Sequence, residues 1–125
     1  MKILLVTDPA SPYGEDAFCR ELVLRAPSRG HEAVMAEKVE ACDADVVLIN
    51  SFQAEPIRAA RSAGRKVAVR LIDSFAEVSP SELPAILGVL RQADRILVPS
   101  RYLADLARSW GVDGKTLPVP YAYDR

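Results

Sequence analysis

The sequence has 125 residues, half of them hydrophobic, and a formal net charge of −1. That length and apolar content suit one domain with its own core and argue against intrinsic disorder. The near-zero charge gives no electrostatic reason to expect a nucleic acid or an anionic membrane as partner. No apolar run approaches the roughly 20 residues of a membrane span, and MKILLV has no signal-peptide pattern, so we expect a cytoplasmic protein.

Apolar runs of strand length alternate with helical patterns along the chain. In order, the predicted elements are a strand at 2–7, a helix at 15–26, strands at 31–36 and 44–50, a helix at 54–63, a strand at 66–72, a helix capped by Ser81, a strand at 95–98, a helix capped by Ser100, and a strand at 116–119. Strands separated by helices and short links predict an α/β fold with a parallel sheet flanked by helices.

The boundaries of these elements rest on local signals. Serine hydroxyls suit helix N-caps because they accept a free backbone N–H, which is why Ser81 and Ser100 are predicted caps. Gly30, Gly64 and Gly111 are predicted stops, since glycine readily adopts the left-handed conformation that ends many helices. The strands at 2–7 and 44–50 are continuously apolar, a pattern typical of a sheet covered on both faces.

The cysteine and histidine residues predict no redox, disulfide or metal site in this chain. Cys19 and Cys42 form neither a C-x-x-C pair nor a disulfide framework, and packing is the simplest role for both. With His31 as the only histidine, no metal site is predicted.

In parallel α/β sheets, ligands bind beyond the carboxyl ends of the strands. The candidate loops are therefore residues 8–15, 50–56, 73–82 and 99–101. Gly14 precedes a predicted helix, whose free N–H groups favour an anion, although a lone glycine there more often marks a turn. The sequence lacks G-x-G-x-x-G and G-x-x-x-x-G-K-[ST], so no dinucleotide cofactor or P-loop nucleotide is predicted.

A phosphoacceptor receiver domain would have a similar length. Its chemistry needs carboxylates that hold magnesium, an aspartate after the third strand and a lysine after the fifth. Asp8 fits this scheme, but the third strand ends in Asn50, and Pro99 and Ser100 stand where the lysine is needed. A degenerate, non-enzymatic receiver-like or small-ligand-binding module therefore stays open as the alternative.

Several segments together resemble a known enzyme family. They are the RGHE turn at 29–32, RSAGRKVAVRLID at 61–73, and ADRILVPSRYLADLARSWGVDGKTLPVPYAYD at 93–124. In order and spacing they are similar to the amino-terminal domain of the group 1 (GT-B fold) glycosyltransferases, and MKILLVTD with its proline-rich loop is similar to that family's start.

This resemblance implies a Rossmann-like three-layer sandwich, the N-terminal half of a GT-B fold. Residues 1–117 would form the acceptor-side domain, and residues 118–125 would begin a link to a C-terminal donor-binding domain, in cis or on a separate chain. The complete enzyme would transfer a sugar from a nucleotide-sugar donor to an acceptor hydroxyl. Without the donor domain, we expect this chain to be inactive.

The same resemblance nominates site residues. The family often has a histidine at the end of the fourth strand, before an aspartate. Ile72 stands there and Asp73 follows, which leaves Asp73 as the candidate general base. Acceptor or phosphate contacts are expected from Asp8, Tyr13, Gly14, Asn50, Ser51, Ser100 and Arg101. Turn formation and capping are the competing roles for most of these side chains.

The basic residues Arg58, Arg61, Arg65 and Lys66 cluster around one predicted helix end. Such a cluster would suit weak peripheral contact with a membrane that carries a lipid-linked acceptor. A solvated helix face is the more economical reading of the same charges.

Overall fold

The computed structural model describes residues 1–7, 15–39, 43–50, 52–72 and 75–118. These residues form strands β1 Lys2–Val6, β2 Glu32–Ala36, β3 Val46–Asn50, β4 Lys66–Arg70, β5 Arg95–Val98 and β6 Thr116–Pro118. They also form helices α1 Glu15–Arg25, α2 Ala54–Ser62, α3 Leu83–Leu90 and α4 Arg101–Ser109, with 3₁₀ turns at Pro27–Arg29 and Asp113–Lys115.

The described strands make one sheet in the order β2-β1-β3-β4-β5-β6, and each pair is parallel. After β1 the chain moves outward to β2, and it then returns to β3 on the other side of β1. The strand order therefore reverses between β1 and β3, the place where doubly wound sheets bind ligands. The predicted α/β, Rossmann-like parallel sheet is confirmed.

The larger face of the sheet is apolar at its centre. Val47, Ile49, Val67, Val69 and Ile96 are at most 1% exposed there. Helices α2, α3 and α4 cover this face with the side chains Ile57, Ala60, Leu87, Leu90, Leu103 and Ala107. Their spacing of three and four residues places one apolar stripe of each helix against the sheet.

Among the described helices, α1 covers the opposite face. Cys19 is fully buried against Leu5 and Leu48, and Phe18 and Leu22 pack beside them. The packing role predicted for Cys19 is thus confirmed, whereas Cys42 lies outside the described residues. This cover thins toward β6, where Leu117 is 44% exposed.

Two aspartates join neighbouring strands at the amino edge of the sheet. Asp45 precedes β3 and accepts the backbone N–H of Lys2 at 2.8 Å. In the same way, Asp94 precedes β5 and accepts the N–H of Val67 at 2.8 Å. Each carboxylate satisfies a backbone donor at the start of the adjacent strand, where no ladder partner exists.

Asp94 also forms an ion pair with Arg61, one residue of the predicted basic cluster. Arg61 Nη1 lies 3.3 Å from Asp94 Oδ1, and both side chains are partly exposed. The Val67 N–H holds the pKa of Asp94 below its ordinary value, assisted by the charges of Arg61 and Lys66 and opposed by partial burial. Arg61 therefore has an ion-pair partner on the solvated face.

Ser81 is not a helix cap, contrary to prediction. Helix α3 begins at Leu83 with Glu82 at the cap position, and no side chain makes a capping hydrogen bond. The Ser81 hydroxyl instead lies 3.1 Å from that of Ser79, whose carbonyl accepts the N–H groups of Glu82 and Leu83. A turn therefore satisfies the first donors, and Pro84 removes another because proline has no N–H.

Gly64 and Gly111 follow the ends of α2 and α4 with φ of +72° and +73°, which confirms them as stops. Gly30, with φ of +79°, ends the 3₁₀ turn that follows α1 and does not end α1 itself. No helix in the described part of the chain is long and apolar enough to cross a membrane.

Candidate functional site

Three polar side chains are buried side by side at the carboxyl edge of the sheet. Thr7 follows β1, Asn50 ends β3 and Arg70 ends β4, and their exposed fractions are 3%, 0% and 7%. Asn50 pairs with Arg70 in the parallel register, and Val6 pairs with Ile49, which places Thr7 beside Asn50. The set thus spans the strands on both sides of the reversal in strand order.

Hydrogen bonds connect these three side chains. Arg70 Nη1 donates to Asn50 Oδ1 at 3.1 Å, and Asn50 Nδ2 donates to Thr7 Oγ1 over a longer 3.5 Å. Buried polar groups cost free energy unless they are hydrogen-bonded, so these contacts help to hold the set inside the sheet.

Helix α1 supplies the cover over the guanidinium group. The centre of the Arg70 guanidinium lies 4.3 Å from the centroid of the Phe18 ring. A cation over an aromatic face is attracted by the ring quadrupole, more strongly where water is excluded. Phe18 and Leu22 are four residues apart and so share the inner face of α1, and the contact with Arg70 places Phe18 beside the site.

An aromatic cluster lies at the same edge on the larger face. Phe75 packs edge-on against Phe52 and at a tilt against Trp110, with ring centroids 5.5 Å apart in both pairs. The backbone of Phe75 has φ of 56°, which is unfavourable for a bulky side chain. Burial of its ring to 8% exposure helps to hold this conformation in the loop after β4.

Ser100 and Arg101 are exposed at the start of α4, the next element along this edge. Ser100 Oγ accepts the backbone N–H of Leu103 at 3.2 Å, so the predicted N-cap is confirmed. The Ser100 hydroxyl oxygen therefore already accepts one hydrogen bond from the helix backbone. Arg101 occupies the first helical position.

The remaining site predictions concern other parts of the loops. Asp8, Tyr13, Gly14, Ser51 and Asp73 lie outside the described residues, and their roles stay predictions. Asn50 is part of the buried polar set. No group of three or more His, Cys, Asp or Glu side chains within the described ranges is arranged to hold a metal ion.

Sequence reasoning missed Thr7 and Arg70. The only signal for Arg70 was a charge inside the apolar run KVAVRLI, in a strand expected to be covered on both faces. A charged residue at such a position is either at an open edge or paired inside, and the sequence does not show which. Thr7 carried no signal beyond its place at the end of a strand.

No protein-family model matches this sequence, and no curated protein matches it. Among solved structures, 17 chains match. One is the crystal structure of Anabaena Alr3699/HepE in complex with UDP and glucose, similar to this chain with a TM-score of 0.69 and 14% identity. The match covers 99% of this chain and 45% of that chain, so this chain spans less than half of HepE. At such low identity the likeness shows the fold, and it agrees with the Rossmann-like sheet.

Proposed function

We propose that this chain is the acceptor-side, N-terminal domain of a two-domain cytoplasmic glycosyltransferase. Residues 1–117 would form that domain, and residues 118–125 would begin the link to a donor-binding domain. The observation that carries the proposal is the match of nearly the whole chain to 45% of a protein whose structure contains UDP and glucose. The sequence resemblance to GT-B enzymes points to the same function independently.

The edge that holds Thr7, Asn50 and Arg70 would face the cleft between the two domains. Ligands of doubly wound sheets bind beyond the carboxyl ends of the strands, and this edge carries buried hydrogen-bonding groups at the point of strand reversal. The donor domain would hold the nucleotide-sugar opposite. Ser100 and Arg101 are the described residues that we propose for direct contacts with the acceptor or a phosphate. Asn50, which is fully buried, would act at this site through its hydrogen-bond partners.

Asp73 is the proposed general base. It follows Arg70, the last residue of β4, by three positions in the sequence. In the proposed reaction the acceptor hydroxyl oxygen attacks the anomeric carbon of the sugar, and the bond from that carbon to the phosphate oxygen breaks. The hydroxyl proton passes to the Asp73 carboxylate, and the nucleoside diphosphate leaves with the bonding electron pair.

The gene sequence after residue 125 gives the first test. We expect a further ~170–200 residues with alternating strand and helix patterns, the size of a second domain, and a pair of glutamates seven residues apart. A stop codon there, with no neighbouring gene for a donor domain, would contradict the two-domain proposal.

The second test measures release of nucleoside diphosphate by the complete protein with a panel of nucleotide sugars and acceptors. Asp73→Asn should lower kcat by about 10²–10⁴, the usual contribution of a general base. Asp105→Asn is the matched control, since Asp105 is exposed and faces Arg108 at 3.8 Å on α4. Full activity of Asp73→Asn would remove Asp73 as the base, and absence of transfer with every donor would overturn the proposed function.

The receiver-like alternative gains no support from the site. Asn50 has no carboxylate to accept a phosphoryl group, it is fully buried, and its amide oxygen accepts from Arg70. A magnesium-dependent response to beryllium fluoride would revive that alternative.

A further inference from the structure

The hydrogen bonds among Arg70, Asn50 and Thr7 have a fixed direction. A guanidinium group has only donors, so the atom of the Asn50 amide that faces Arg70 must be its oxygen. The 3.1 Å contact from Arg70 Nη1 to Asn50 Oδ1 follows this rule. The orientation of the amide is therefore set by chemistry and does not depend on how its two ends are assigned.

This orientation determines what Thr7 can do. With its oxygen toward β4, the Asn50 amide directs its nitrogen toward β1, 3.5 Å from Thr7 Oγ1. An amide nitrogen only donates, so the Thr7 oxygen accepts and its own hydrogen points away from Asn50. The donor direction thus runs from β4 through β3 to β1, and Thr7 is the last described residue before the loop of residues 8–14.

We propose that the chain of hydrogen bonds from Arg70 through Asn50 to Thr7, here called the donor relay, recognises an anionic oxygen where the strand order reverses between β1 and β3. The Thr7 hydroxyl would donate to a phosphate or carboxylate oxygen of the ligand, and Asn50 and Arg70 are positioning residues. This inference rests on the proposed function, in which the ligand would be a phosphate of the nucleotide-sugar or an acidic group on the acceptor.

The relay favours an anionic oxygen for two physical reasons. First, an anionic oxygen only accepts hydrogen bonds, so it matches a hydroxyl held as a donor, whereas a neutral sugar hydroxyl needs partners of both kinds. Second, the positive charge of Arg70 polarises the chain of hydrogen bonds in a region shielded from water, which strengthens the last donor. Phe18 supports this charge by stacking on the guanidinium.

Variants of Thr7 give the cleanest test. Thr7→Val keeps the shape of the side chain, removes the hydroxyl and adds no charge, whereas Thr7→Ser keeps the donor. We expect Thr7→Val to weaken anion binding about tenfold, the effect of one hydrogen bond to a charged group, and Thr7→Ser to restore it. A purely structural role for Thr7 would change the melting temperature and leave the dissociation constant unaltered.

Asn50→Asp tests the direction of the relay. Aspartate has nearly the same shape but only accepts, so it would accept from Arg70 and also from Thr7, which turns the Thr7 hydrogen inward. We expect anion binding at least about tenfold weaker, with the fold kept because the new carboxylate pairs with Arg70. Gln92→Glu makes the same change of amide to carboxylate at an exposed position near the amino edge, and it controls for net charge.

Binding is measured by calorimetric or NMR titration of the purified chain with inorganic phosphate, UDP, glucuronate and glucose. Binding of phosphate or UDP that Thr7→Val weakens identifies a phosphate ligand, and the same result with glucuronate alone identifies a carboxylate. Binding of glucose alone, binding that Thr7→Val leaves unchanged, or no binding by any anion would overturn the proposal.

The transfer assay on the complete protein separates this inference from the proposed function. If no transfer is found but phosphate binds and Thr7→Val weakens it, the relay stands and the transferase proposal falls. If transfer is found but anion binding does not depend on Thr7, the relay falls and the transferase proposal stands.

Discussion

Replacing Asp94 with alanine removes the link between the starts of β4 and β5. Its Oδ2 atom accepts the Val67 N–H at 2.8 Å, and its Oδ1 atom lies 3.3 Å from Arg61 Nη1. In Asp94→Ala the Val67 N–H loses this acceptor at the amino edge. Asp94→Asn keeps an oxygen that can accept the same N–H but removes the charge.

The expected loss in the free energy of unfolding follows from these two contacts. A hydrogen bond that involves a charged group contributes about 1.5–3 kcal/mol when buried, and the Asp94 side chain is 30% exposed, which reduces that value. The partly exposed Arg61 contact adds only a few tenths of a kcal/mol. We therefore expect Asp94→Ala to lower the free energy of unfolding by about 2 kcal/mol. For a chain of 125 residues that is a fall of about 8 °C in melting temperature.

The pH dependence gives a second, independent measurement. The folded-state pKa of Asp94 is lowered, first by the Val67 N–H, so its stabilising contribution is present above the unfolded pKa of about 3.9. That contribution is lost as the pH falls through the still lower folded pKa. The difference between wild type and Asp94→Asn should therefore be constant from neutral pH to about pH 5 and shrink below about pH 4.

Thermal unfolding followed by circular dichroism across this pH range is the assay. Asp105→Ala is the control, because its contact with Arg108 is exposed and should contribute less than about 0.5 kcal/mol. The reasoning is refuted if Asp94→Ala melts within about 2 °C of wild type at neutral pH. It is also refuted if the difference in stability between wild type and Asp94→Asn stays unchanged below about pH 4.

Three further predictions use the same unfolding assay. Ser100→Ala should cost about 1 kcal/mol through loss of the N-cap, while Ser100→Asp keeps a capping oxygen and should be nearly neutral. Gly64→Ala should cost about 1 kcal/mol because φ is +72°, since the added methyl group meets no atom within 4 Å. Gly88 has equal space but no positive φ, so an equal cost for Gly88→Ala would argue against backbone strain at Gly64. Ile57→Ala should cost about 3 kcal/mol, since Ile57 is fully buried between α2 and the sheet, and a loss below about 1 kcal/mol would contradict that packing.

The sequence was most informative where one local signal decides a boundary. Strand β5 was predicted at 95–98 and lies at Arg95–Val98, because a short apolar run is bounded by Asp94 and Pro99. The fourth strand was predicted to reach Ile72 but β4 ends at Arg70. The Leu71 N–H still donates to the Leu97 carbonyl at 2.8 Å, so the ladder frays gradually there.

Ser81 shows where a local signal was misleading. A serine before an apolar helical pattern is a good cap in isolation, but the turn at Ser79 already accepts the first N–H groups of the helix. Competing backbone contacts of this kind depend on the conformation of four consecutive residues, which side-chain preferences alone do not determine.

The buried polar set was unpredictable for a different reason. Arg70 meets Asn50 from 20 residues earlier and Phe18 from much earlier still, so its environment exists only after β1, β3, β4 and α1 have assembled. A lone arginine in an apolar strand has no local feature that distinguishes a buried position from an open edge. Asn50, by contrast, was placed at the candidate edge because it ends its strand, and strand ends are visible in the sequence.

The two edges of the sheet use polar groups in opposite ways. At the amino edge, Asp45 and Asp94 remain partly open to water and satisfy backbone donors that would otherwise be unpaired. At the carboxyl edge, an arginine is buried, and replacement of such groups by apolar residues is often neutral or stabilising. On the larger face of the sheet, the strand ends at this same carboxyl edge carry apolar side chains, and Leu71 and Val98 are at most 2% exposed. A buried arginine is therefore weak evidence for a gain in stability, and polar groups kept where packing favours apolar side chains are typical of functional or strained sites.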